Sequence, residues 1–141
     1  MKYKNKIQKK KGKKFRSKLE AYCWEALTKA EIPFLYEPVR LQLVPDFEYP
    51  EESYERIGKV FKQQRIKVQD IEYIPDFTPI YNELSDITWI IETKGMLTPV
   101  SRLKWKLFKK WLLDNGYRWK LYMPTNQKQV LWTINQIQQL I

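Results

Sequence analysis

The chain has no histidine, and Cys23 is its one cysteine in 141 residues. Without histidine there can be no Ser-His-Asp triad, no zinc finger of the Cys and His type and no imidazole base. Proton transfer therefore falls to carboxylate, lysine, tyrosine or metal-bound water. A lone cysteine allows no internal disulfide, which suits a reducing compartment. No apolar run approaches the roughly 20 residues that span a bilayer, and the basic amino terminus is not followed by the apolar stretch of a signal peptide. Internal repeats are also lacking. The expectation is a soluble cytoplasmic protein with no membrane partner.

Acid is missing from the first 18 residues, which carry ten Lys or Arg; the remainder holds 16 basic and 16 acidic groups, so the whole net charge of +10 sits in that segment. Within the neutral body, 15 acids against 7 bases lie between Glu20 and Glu92, and 8 bases against one acid between Lys94 and Lys120. An acidic middle between basic ends suits a cation site beside a polyanion, because phosphates are drawn to the flanks. A solubilising tail explains the same charge. Hydrophobic residues make up 43% and aromatics 15%, enough for one domain with a real core.

Residues 1–16 read as a basic, flexible arm and 17–141 as one domain. Ser17-Lys18-Leu19-Glu20 has the form of a capping box opening a helix that Pro33 stops. Phe34 to Val44 reads as extended chain. Residues 49–64 read as an insertion or lid, with Tyr54, Ile57 and Phe61 suggesting a short helix. Strand character returns over Ile66 to Ile80 and Ile87 to Thr93, with turn chemistry between them at residues 82–86. A hairpin centred on Leu84 sets Asp76 opposite Glu92. Thr98-Pro99 opens a second helix, closed by Asn115-Gly116, whose inner face is expected to be Val100, Leu103, Leu107 and Trp111. Tyr117 to Met123 reads as a strand. A last helix is marked by Val130, Ile134, Ile137 and Ile141.

Side chains alternate along a strand, so Glu92 and Lys94 share one face and Thr93 points to the other. Asp76 and Glu92 repel unless a cation lies between them, and hard oxygen ligands suit Mg2+ or Mn2+. Lys94 is placed to hold a water beside a phosphate.

Pro75-Asp76 followed by Glu92-Thr93-Lys94 resembles the PD-(D/E)XK nuclease superfamily. More narrowly, Phe15-Arg16-Ser17-Lys18-Leu19-Glu20, Tyr73-Ile74-Pro75-Asp76-Phe77 and Ile91-Glu92-Thr93-Lys94-Gly95 resemble the phage endonuclease I type of Holliday-junction resolvase. The resemblance implies an α/β, restriction-endonuclease-like single domain, a mixed sheet flanked by helices. It also implies a homodimer that cuts four-way or otherwise branched DNA in recombination, located in the host cytoplasm if phage-encoded. Glu20, Asp76, Glu92 and Lys94 would be catalytic. Asp76, Glu92, Glu20 and the Thr93 carbonyl would ligate one or two Mg2+ or Mn2+ ions. The connection from Asp76 to Glu92 is longer than in that family, and residues 49–64 have no counterpart there.

Other readings remain open. Glu20 can be merely a capping residue, and Asp76 a turn residue. Asp46, in Val44-Pro45-Asp46-Phe47, has the same local form as Asp76 but no Glu-x-Lys partner, and reads as a turn or rim residue. For DNA contact the candidates are Lys9, Lys10, Lys11, Lys13, Lys14, Arg16 and Lys18 in the first segment. Arg102, Lys106, Lys109 and Lys110 on the second helix join them, although a solvated helix face is an equally common explanation. Trp105, Trp119 and Trp132 are expected in the core rather than stacked on bases. The rival functions are a PD-(D/E)XK nuclease of nicked or linear DNA in phage replication, recombination or packaging, and a non-catalytic nucleic-acid-binding module.

Overall fold

The computed structural model describes residues 8–10, 13–64 and 66–141. Where the basic arm is described it pairs with itself: β1 (Gln8–Lys10) and β2 (Lys13–Phe15) are antiparallel, with Gln8 opposite Phe15. The expectation of a free arm does not hold at its inner end. Phe15 is buried against the rings of Trp24 and Tyr36, an apolar anchor that the surrounding lysines obscure in the sequence.

Helix α1 (Lys18–Lys29) starts where the capping pattern places it, with the Ser17 hydroxyl accepting from the Glu20 N–H. It ends with Glu31 at φ 57°, the Glu31 N–H bonded to the Thr28 carbonyl and the Ile32 N–H to that of Leu27. A left-handed residue after the helix satisfies the last carbonyls, a position that usually belongs to glycine. After β3 (Leu35–Tyr36) the chain runs out along β4 (Leu41–Val44), β5 (Phe47–Glu48) and β6 (Tyr54–Ile57). It returns along β7 (Val60–Gln63), β8 (Lys67–Val68) and β9 (Ile71–Tyr73). The pairs β4–β9, β5–β8 and β6–β7 are all antiparallel, so residues 41–73 form one long, interrupted hairpin.

The short helix expected within 49–64 is therefore a β-ribbon. Ile57 and Val60 pair around a two-residue loop whose first member, Gly58, has φ 64°, as a type II′ hairpin turn requires. The i, i+3, i+7 spacing of Tyr54, Ile57 and Phe61 imitates a helix only because the chain folds back between them.

The central sheet has the order β12-β11-β10-β3, formed with β10 (Phe77–Thr78), β11 (Trp89–Ile91) and β12 (Lys120–Tyr122). β10 is antiparallel to β3 and β11, and β11 is parallel to β12. Helices α2 (Pro99–Asn115) and α3 (Gln127–Leu140) complete an α/β fold. β11 is buried on both faces, hence its uninterrupted apolar run. Trp89 and Ile91 pack with Phe77, with Cys23 and Leu27 of α1, and with Val130, Ile134 and Ile137 of α3. Ile90 packs with Leu41, Leu43, Tyr73, and Phe108 and Leu112 of α2.

Three other expectations change. Val100 and Leu103 are 66% and 58% exposed, and Phe108 and Leu112 form the inner face of α2. Several apolar stripes on this helix satisfy the same period, and tertiary neighbours select among them. Trp119 is buried, whereas Trp132 is 58% exposed and touches Tyr122 by one ring edge. Ile141, expected on the last helix's apolar stripe, is exposed. No helix among the described residues is long and apolar enough to cross a membrane.

Candidate metal centre

Asp76 directly precedes β10 and Glu92 directly follows β11. Phe77 is paired with Ile91, the register that sets Asp76 across from Glu92, as the turn-centred hairpin predicts. The turn itself is a 3-10 segment, Leu84–Asp86, closed by reciprocal bonds between Glu83 and Asp86. Past β11 the backbone continues along the β12 side: the Glu92 N–H donates to the Tyr122 carbonyl and the Lys94 N–H to that of Pro124.

Four acids meet here. Asp76, Glu92 and Glu20 are buried at 8%, 5% and 4% exposure. Glu20, Glu37 and Asp76 each offer a carboxylate oxygen within 4.8 Å of the others. At that separation two ionised carboxylates repel by on the order of 3 kcal/mol at an effective dielectric of about 20. Such a group persists only if protons or a cation offset it.

The protein's own bonds answer part of the charge. Asp76 Oδ2 accepts from the Thr93 N–H at 2.8 Å and from the Thr93 hydroxyl at 2.9 Å. The Thr93 side chain thus reaches Asp76 instead of turning to the opposite face, because regular alternation ends with β11 at Ile91. Asp76 Oδ1 receives no hydrogen bond among the described residues. The Tyr73 hydroxyl donates to Glu92 Oε1 at 2.6 Å, and Lys94 Nζ lies 3.2 Å from Glu92 Oε2. Glu20 Oε2 accepts from the Arg16 N–H at 2.9 Å. Glu20 therefore serves the helix start and the cluster at once, and the two readings of it are not exclusive.

Burial, and then the charges of Glu92 and Glu20, hold the Asp76 carboxyl well above the ordinary carboxylate range against the pull of Thr93. Burial also raises Glu92, while Lys94 and Tyr73 pull it back. The Tyr73 hydroxyl is pushed well up by burial and by Glu92, and stays a donor. All these groups line one cleft of about 690 Å³, which Arg16, Lys104 and Trp105 also border.

Glu37 is the acid that sequence reasoning missed. It follows β3 with φ 46°, and its N–H donates to the Asp76 carbonyl at 2.8 Å. A non-glycine residue held left-handed costs energy and concentrates at functional positions. An acid before Pro38 in an acidic stretch is the only signal the sequence offered. Tyr73 and Lys104 were missed as well.

Asp46 lies out on the hairpin, exposed and paired with Lys67 at 3.1 Å. Of the DNA-contact candidates, Lys9 and Lys10 fall in β1, Lys13 and Lys14 in β2, and Lys11 outside the described residues. Lys14, Arg16 and Lys18 are exposed, and Arg16 borders the cleft. Arg102, Lys106, Lys109 and Lys110 are exposed on α2, with Lys110 bonded to Asp114 at 2.8 Å. None of these four lines the cleft; Lys104 is the cation of α2 that does.

No curated protein and no solved structure matches the chain. One family does, over residues 1–128, and the chain belongs to it: the family described as "Protein of unknown function (DUF1064)".

Proposed function

We propose that the protein is a metal-dependent endonuclease of the PD-(D/E)XK type, acting on four-way or otherwise branched DNA as a homodimer. The observation that carries this reading is the meeting of Asp76, Glu92, Lys94 and Glu20 in one cleft, in the order and strand context of the resemblance. The donor set fits Mg2+ or Mn2+: it is all carboxylate oxygen, and Oδ1 of a buried Asp76 lacks a protein donor among the described residues. Asp76, Glu20 and Glu37 would hold an ion, with Glu92 beside them. A bound divalent cation supplies Lewis-acid polarisation of the phosphate and offsets charge on the leaving oxygen.

Thr93 fixes the rotamer of Asp76 through two bonds, so one oxygen is left to face a ligand. Glu92 is held differently, by Tyr73 at Oε1 and Lys94 at Oε2. Lys94, 31% exposed at its side chain, orients the attacking water and balances negative charge developing on the phosphate. Water adds to phosphorus as the bond to the 3′ oxygen breaks, leaving a 5′ phosphate and a 3′ hydroxyl. Arg16 and Lys104 on the cleft border, with the basic segment before α1, attract the phosphate backbone.

The test is cleavage of a four-way junction compared with nicked and linear duplex of the same sequence, with and without Mg2+. Asp76→Ala and Lys94→Ala each lower the rate by orders of magnitude and leave junction binding nearly intact. Variants that still cut would refute the assignment. Cutting of linear duplex as fast as the junction would keep the nuclease and discard the substrate.

A further inference from the structure

The hairpin of residues 41–73 has its root at the cleft and its end in solvent. Tyr73 at the root packs in the core and bonds Glu92. About a dozen residues farther out, up to about 40 Å of extended chain, Tyr54 and Phe61 are 52% and 72% exposed. Monomeric proteins rarely leave large apolar side chains clustered in water without a use for them.

Register places these groups together. Arg56 pairs with Phe61 and Tyr54 with Gln63. Residues two apart on a strand share a face, so Tyr54, Arg56 and Phe61 occupy one side of the ribbon. The two rings lie 6.2 Å apart and tilted by 31°, a shallow aromatic surface open to the outside. Residues 54–63, the paired ribbon, contain Arg56, Lys59 and Lys62 against one acid, Glu55. Glu55, the nearest acid, is paired in register with Lys62 and accepts from the Ser53 hydroxyl. Lys62 lies with Glu55 on the reverse side, and Arg56 beside the rings and Lys59 at the turn remain; exposed rings next to these cations match a single nucleic-acid strand, whose bases stack and whose phosphates are anionic. A purely apolar partner would leave the charges of Arg56 and Lys59 unanswered.

We infer that the Tyr54–Arg56–Phe61 face of the hairpin end is a stacking platform for unpaired DNA bases, such as those opened at a branch point. It rests on the reading of the chain as a DNA-acting protein, and it adds a second contact remote from the carboxylate cluster.

The experiment titrates the full chain, in EDTA so that no cutting intervenes, into a single-stranded oligonucleotide carrying 2-aminopurine and into a duplex of the same sequence. The 2-aminopurine fluorescence changes on binding, and the single strand is preferred. Tyr54→Ala and Phe61→Ala each weaken single-strand binding roughly tenfold and remove the fluorescence change, while Phe61→Trp keeps both. Lys59→Gln flattens the salt dependence and keeps the fluorescence change at saturation. Unchanged binding in the double alanine variant overturns the inference. So does a Phe61→Trp variant no better than Phe61→Ala. A double alanine variant that goes from dimer to monomer in sedimentation while keeping the fluorescence change assigns the face to a second copy of the chain, and also overturns it. In a parallel assay of the unaltered chain with Mg2+, absence of junction cutting with stacking intact discards the nuclease and leaves the platform; cutting without stacking discards the platform alone.

Discussion

At the scale of single residues, Asp76 sets how the metal-free protein responds to pH. Its carboxyl is raised far above its value in an unfolded chain, so the folded state keeps a proton that the unfolded state gives up. The resulting stability is fully present below the ordinary carboxylate pKa and is lost as pH rises toward the raised value. Metal-free protein is expected to lose up to about 1.4 kcal/mol per pH unit for each such group above pH ~4. Asp76→Asn flattens that slope, as urea denaturation at several pH values reads out. Tyr73→Phe removes the 2.6 Å bond to Glu92 and is expected to cost about 1.5–3 kcal/mol at neutral pH, measured the same way. Legibility at this scale divides by cause. Asp76, Glu92 and Lys94 are readable because charge on an apolar strand is costly and demands a partner. Glu37 is not, because only the path of the chain after β3 brings it to Asp76.

At the scale of elements, helix starts were the most readable features. Ser17 and Thr98 cap α1 and α2 through hydroxyls, as their positions in the sequence announce. The end of α1 hides a correctable strain: Glu31 stands where glycine is preferred. Glu31→Gly is expected to raise stability by about 1 kcal/mol, visible as a higher melting temperature; a fall would show that its side chain contributes more than its backbone costs. Which stripe of α2 turns inward was not readable from period alone. Phe108, fully buried among Tyr73, Trp105, Trp111 and Trp119, should cost about 3–5 kcal/mol when changed to Ala. Leu103→Ala, on the exposed side, should stay within about 0.5 kcal/mol. Chemical denaturation of the two variants separates the stripes directly.

Across the whole molecule, charge and fold are arranged in sequence order. The basic first segment precedes the acidic middle, and the cations of α2 follow it. Deleting residues 1–14 should weaken junction binding and reduce the slope of log affinity against log salt; an unchanged slope would mark the segment as a solubility aid. The α/β class and the register of Asp76 and Glu92 were legible because apolar strands flank a well-marked turn. The long hairpin was legible only at its root, where Leu41, Leu43 and Tyr73 are buried; its outer pieces, β5 to β8, are short and almost wholly exposed. The parallel pairing of β11 with β12 carries one more consequence. The backbone N–H groups of Glu92 and Lys94 are bonded to the carbonyls of Tyr122 and Pro124, so a nascent chain halted before those residues has every acid already made but lacks the backbone bonds that seat these two. Met123 of the same late segment lines the cleft, so the wall of the pocket is completed only after all of its acids have been made.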